Sequence, residues 1–139
     1  MSDPATRIVV DTGVLVSRLL TPASVAATAA EKAIRHSTLL FSEQTLAELL
    51  QVLSRKKFDR YVEWPARQLF YRWIESRGRI VEISGTLRAC RDARDDKILE
   101  VAQNGGASLI LTGDNDLLCM IQWQEIPILN PAAFLARTK

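Results

Sequence analysis

The spacing of apolar positions changes several times along the chain, and each change marks a boundary between elements. Ile8-Val9-Val10 within residues 7–10, Leu39-Leu40-Phe41 within 38–41, and Leu109-Ile110-Leu111 are short apolar runs closed by turn residues, the signature of buried strands. Arg79-Ile80-Val81-Glu82-Ile83, ended by Ser84-Gly85, and residues 127–130 predict two more strands. Between these runs the apolar spacing lengthens to three and four. Val14, Leu15, Val16, Leu19 and Leu20 predict a short helix, and residues 24–35 an Ala-rich one with Val25, Ala29, Ala33 and Ile34 on or near one side. Leu46, Leu49, Leu50 and Leu53 form a core-facing stripe on the next helix, with Ser42 as its N-cap and Glu43 near its positive end. Trp64-Pro65 opens a helix to about residue 76, proline being acceptable in a first turn. Residues 95–103 read as a helix with Ile98, Leu99 and Ala102 inward, stopped by Asn104-Gly105-Gly106. Shorter helices are expected over 117–121 and 131–136.

Strands separated by helical segments need crossover connections. The expected fold is therefore α/β, three layers (α/β/α) around a central, mostly parallel sheet of about five strands. No repeat, linker or low-complexity segment interrupts the chain, so one domain over residues 1–139 is expected.

Composition narrows the chemistry more than the fold. A content of 47% hydrophobic and 24% charged residues is that of a soluble globular protein. No apolar run approaches the roughly 18 residues of a membrane span, and Met1-Ser2-Asp3-Pro4 lacks the layout of a secretory leader. A cytoplasmic protein without a membrane partner is expected. Cys90 and Cys119 have no metal-binding spacing and read as reduced thiols. His36, the single histidine, lies in a polar stretch and reads as a surface residue. Nucleophile–histidine devices and His/Cys zinc sites are thereby disfavoured. The net charge is only +2, but twelve of the eighteen basic residues and seven acidic ones lie between Arg55 and Lys97. That excess, which includes Arg67, is either a solvated face or a surface that tracks phosphates.

Carboxylates carry the remaining signal. Asp11 follows the first strand in Asp11-Thr12-Gly13, and Asp114 and Asp116 follow the fourth in Thr112-Gly113-Asp114-Asn115-Asp116. In open parallel sheets ligands bind beyond the carboxyl ends of the strands, and gathered carboxylates call for a hard divalent cation. Each residue also has a plainer reading: Asp11 as a helix cap or Asx-turn, Asp114 or Asp116 as a cap. Asp95 and Asp96 open a helix, where negative charge is favourable. Asp95 shares a side with Ile98, Leu99 and Ala102, which makes it the inward one, with Asp96 facing water and Asp92 on the surface. Glu48 falls off the leucine stripe and on spacing alone reads as a solvated helix residue. Thr12 and Thr112 either offer hydroxyls to water or phosphate or hydrogen-bond at strand ends.

Four stretches together resemble the motifs of the PIN domain family. These are Ile8-Val9-Val10-Asp11-Thr12-Gly13-Val14-Leu15, Ser42-Glu43-Gln44-Thr45-Leu46-Ala47-Glu48-Leu49, Asp95-Asp96-Lys97-Ile98-Leu99-Glu100-Val101-Ala102, and Leu111-Thr112-Gly113-Asp114-Asn115-Asp116-Leu117-Leu118. The resemblance spans about residues 7–135 and is nearest to bacterial toxin components of toxin–antitoxin pairs, relatives of the VapC-type toxins. It implies a Mg2+- or Mn2+-dependent endoribonuclease with Asp11, Glu48, Asp95 and Asp114 as catalytic metal ligands, Asp116 adjacent, and Thr12 and Thr112 in support. RNA is the implied substrate, held by Arg55, Lys56, Lys57, Arg60 and Lys97, with a cognate antitoxin and a second copy of the chain as partners. The aromatic helix from Trp64 to Trp73 is the candidate contact surface for either, with core packing as its plainer reading. Gly13 stands where the family most often has Asn, a departure that keeps open a catalytically weak or inactive module that binds RNA or protein. Receiver and phosphatase folds also place acids at a sheet edge. The former would want adjacent acids after the first strand and the latter an Asp at position 13.

Overall fold

The structure, a computed structural model, describes residues 6–137; residues 1–4, read above for a leader, lie outside that range. The order is β1 (Arg7–Val10), α1 (Thr12–Leu20), α2 (Val25–His36), β2 (Thr38–Phe41), α3 (Glu43–Leu53), a 3-10 turn over Lys56–Phe58, α4 (Trp64–Ser76) and β3 (Gly78–Ile80). It continues with α5 (Ala93–Gly105), β4 (Leu109–Leu111), α6 (Asn115–Leu118), β5 (Gln122–Trp123), β6 (Ile126–Leu129) and α7 (Pro131–Ala136). The sheet runs β3-β2-β1-β4-β6-β5, parallel throughout except for β5.

Successive strand residues point to opposite faces, and both faces are buried. Ile8, Val10, Leu39, Phe41, Leu109 and Leu111 pack on one side against α1, α2, α3, α4 and α7. Val9, Leu40, Ile110 and Ile128 pack on the other against Ile98, Leu99 and Ala102 of α5 and Leu117 of α6. This two-sided burial explains why the strands read as uninterrupted apolar runs.

The sheet has six strands, not about five. β5 is two residues long and pairs antiparallel with β6, too short to leave a pattern in the sequence. β3 is Gly78–Ile80 and so includes only residues 79–80 of the strand expected over 79–83, because its single neighbour β2 ends at Phe41. Val81 and Ile83 then leave the sheet to pack over the α5 side. Ser42 caps α3, with Thr45 completing a capping box. Two apolar assignments fail: Val25 and Leu50 are exposed, because α2 and α3 bury narrower stripes than composition alone indicates.

Arg67 departs furthest from expectation. Counted above with the basic surface, it is 1% exposed. Its guanidinium donates to the carbonyls of Leu53 (2.7 Å), Val62 (3.0 Å) and Arg55 (3.2 Å), pairs with Asp59, and lies over the Trp64 ring. It ties the α3–α4 connection together. Among the described residues, no single helix is long and apolar enough to cross a membrane.

Candidate active site

The chain leaves β1 toward β2 and β3, then returns through α5 to β4 on the other side of β1. The switch point thus lies between β1 and β4, where parallel α/β sheets open a crevice beyond the strand ends. Val10 pairs with Leu111, and the Asp11 N–H donates to the Leu111 carbonyl at 2.9 Å. Register therefore sets Asp11 level with the Thr112–Asp114 turn. Thr112 is fully buried; its hydroxyl donates to Asp11 Oδ2 at 2.8 Å and accepts the Asp114 N–H at 3.0 Å. The threonine thus hydrogen-bonds at the strand end and orients two carboxylates at once.

Beyond these strand ends lies a cleft of about 260 Å3. Asp11, Glu48, Asp95 and Asp114 all line it, with Thr12, and so does Asp92. Glu48 reaches it from α3 and Asp95 from the first turn of α5, so four separate segments supply the acids. Asp92 was expected on the surface. It caps α5 by accepting the Arg94 N–H at 2.9 Å, and its position just before the helix was the signal available for it.

Burial and neighbouring carboxylates raise the pKa values of three cleft carboxyls, Asp95, Asp11 and Glu48. Asp95 is pushed up to about 7, first by burial and then by Asp114, Asp92 and Asp11. Asp11 is raised by burial, opposed by the Thr112 hydrogen bond and reinforced by Asp114. Glu48 is raised by burial, with Arg94 opposing. Among the described residues, Asp95 Oδ2 is a buried side-chain oxygen with no hydrogen-bond partner. Carboxylate oxygens of Asp95, Asp114 and Asp116 also lie within 4.8 Å of one another. An all-oxygen donor set with an unsatisfied buried member suits a hard divalent cation better than any neutral ligand.

Asp96 does not face water as expected. It is as buried as Asp95, and Oδ1 accepts the N–H groups of Ala89 (2.8 Å) and Cys90 (2.7 Å). Burial pushes its pKa up, but these bonds outweigh it and hold the group below the usual range. Asp96 fixes the loop before α5, while Asp95 stands toward the cleft. Asp116 is half-exposed, does not line the cleft, and pairs with Arg91 at 3.0 Å. Arg55 lines the cleft rim; Lys97 lines an adjoining groove. Lys56, Lys57 and Arg60 are exposed on the turn after α3 and border neither. His36 is exposed, and Cys90 and Cys119 are free thiols.

The PIN domain family profile matches residues 7–116, a stretch that contains all five cleft carboxylates and ends at Asp116. The chain belongs to the PIN domain family. PIN domains are generally nucleases. No curated protein matches it significantly. Two solved structures share the fold. VapBC2 from Rickettsia felis, bound to a DNA fragment from its promoter, superposes with a TM-score of 0.60 at 16% identity, covering 90% of this chain and 98% of that one. PAE2754 from Pyrobaculum aerophilum gives 0.58 at 17% identity, covering 96% and 92%.

Proposed function

We propose that this PIN domain is a Mg2+- or Mn2+-dependent endoribonuclease and the toxin of a toxin–antitoxin pair, acting in the cytoplasm as a single domain. The observation that carries the reading is the convergence of Asp11, Glu48, Asp95 and Asp114 from four segments on one cleft, with a buried Asp95 oxygen left unpartnered. These four residues would hold the ion, with Asp116 adjacent. When bound, a divalent ion would supply water activation and charge compensation at the phosphodiester. The protein's own part is positional. Thr112 fixes Asp11, the start of α5 presents Asp95, and α3 presents Glu48. Arg55 and Arg94 at the rim are placed to attract a phosphate that five carboxylates would otherwise repel.

An antitoxin partner is supported by the fold neighbour VapBC2, a VapB–VapC pair bound to a DNA fragment from their promoter. Tyr61, Trp64 and Leu69 leave apolar surface on and before α4, which supports that helix as the contact for an antitoxin or a second copy. The test uses protein stripped with chelator and assayed on single-stranded RNA before and after Mg2+ or Mn2+ is restored. Cleavage should return with the ion and be lost in Asp11→Asn. Cleavage that persists in that variant overturns the assignment, and Mn2+ binding without any turnover favours the inactive module.

A further inference from the structure

A second groove, also of about 260 Å3, adjoins the acidic cleft and shares Glu48, Arg55 and Arg94 with it. Its character is opposite. Beyond the shared residues it is lined by Gln44, Ala47, Gln51 and Lys97, so Glu48 is its single acid against three cations and two amides. The arrangement has a periodic origin. Gln44, Glu48, Gln51 and Arg55 recur at spacings of four, three and four, one polar face running down α3 into the turn after it. Arg94 and Lys97, three apart in the first turns of α5, face it across the gap.

The cations keep donors available. Arg94 uses Nε and Nη2 on Asp92, which leaves Nη1 with both hydrogens. Among the described residues, no hydrogen bond or ion pair engages the side chains of Arg55 or Lys97. Gln44 and Gln51 are likewise exposed, each with an amide that both donates and accepts.

We propose that this groove is the subsite for the nucleotide next to the bond cut in single-stranded RNA, an inference that rests on the nuclease reading above. Arg94, Lys97 and Arg55 take the neighbouring phosphate, while Gln44 and Gln51 meet the edge of its base. Splayed bases of a single strand present their hydrogen-bonding edges in a way that paired ones do not. Phosphate contacts position a strand without reading it, and base-edge contacts read it. The same groove thus supplies both register and preference.

The experiment measures binding apart from cleavage. Fluorescence anisotropy of short labelled single-stranded RNAs is recorded with Asp11→Asn protein, alone and combined with Arg94→Gln, Lys97→Gln, or Gln44→Ala with Gln51→Ala. Each charge variant should weaken every RNA several-fold and reduce the slope of log affinity against log salt by about 0.7. The glutamine pair should leave that slope unchanged and flatten the ranking among homopolymers. Lys32→Gln, on α2 beside α7, should do neither. Charge variants that match their parent in affinity and slope overturn the subsite, even if the wild-type chain cleaves RNA. If the wild-type chain neither binds nor cleaves single-stranded RNA with Mn2+ present, the nuclease reading falls as well.

Discussion

Asp95→Asn separates the stability of the site from its function. The substitution keeps shape and removes one charge from the most crowded position of the cleft. In ion-free protein the Asp95 carboxyl lies at about 7 against an ordinary 3.8, raised by burial first and then by Asp114, Asp92 and Asp11. The folded state holds this proton more tightly than the unfolded one, so the destabilisation is absent below about pH 4, grows as pH rises toward 7, and is complete above it. A displacement of that size corresponds to on the order of 4 kcal/mol. Asp95 shares the repulsion with its neighbours, and the new amide does not find perfect partners, so a net gain of about 2 kcal/mol is expected at pH 8. In a domain of this size that is a rise of roughly 5–10 °C in unfolding temperature. Thermal unfolding in chelator, followed by circular dichroism, should show the variant above wild type at pH 8, with the gain gone by about pH 3.5. Saturating Mn2+ should reverse the order, since ligand at a hundredfold over its Kd stabilises the wild type by about 2.7 kcal/mol and the variant loses a proposed ligand. A variant no more stable than wild type at pH 8 without ion refutes the reasoning, as does equal stabilisation of both by Mn2+.

Arg67→Met strands the carbonyl of buried Leu53 and those of Val62 and Arg55 and should lose about 3 kcal/mol in urea unfolding at unchanged m-value. Glu100→Gln removes a buried carboxylate that accepts from Ser84 N (2.6 Å), Ser84 Oγ (2.8 Å) and Gly85 N (3.1 Å), an expected loss of about 2 kcal/mol at pH 7. Burial raises the Glu100 pKa, but these donors outweigh it and leave it lowered. Its contribution is therefore present above the ordinary carboxyl value and lost as pH falls through the folded one, so the two unfolding curves should converge in acid. Gly13→Asn should fit without strain, since nothing lies within 4 Å of a Cβ there and its φ is not positive. A gain of about 0.4–1 kcal/mol in thermal unfolding is expected; a loss would mean the turn needs glycine.

Local signals were enough for the strands that matter and for their polar ends. β1 and β2 occupy the expected residues 7–10 and 38–41 and end where the apolar runs do, and α4 spans the residues that Trp64-Pro65 announced. Ser42 caps α3 as its residue type demands. These features depend on neighbours within a turn of chain, so a local pattern records them. Arg67 shows where that record stops. Nothing around it in sequence distinguishes a buried arginine from a solvated one, because its partners are carbonyls brought to it by the fold of the α3–α4 connection.

The acidic residues divide along the same line. By itself the sequence determined that Asp11 and Asp114 stand at strand ends, because a polar turn must close each buried run. That the two lie level was decided by the parallel pairing of β1 with β4, a contact between residues about a hundred apart in the chain. Glu48 was illegible from periodicity, since a helical wheel registers one core. α3 has a second neighbour in α5, and the face that looks solvated lines the cleft between them. Asp95 and Asp96 differ in sequence by one position and in the fold by everything around them. One meets the N–H groups of a loop and the other stands among the cleft carboxylates, and only three-dimensional packing brings such partners together.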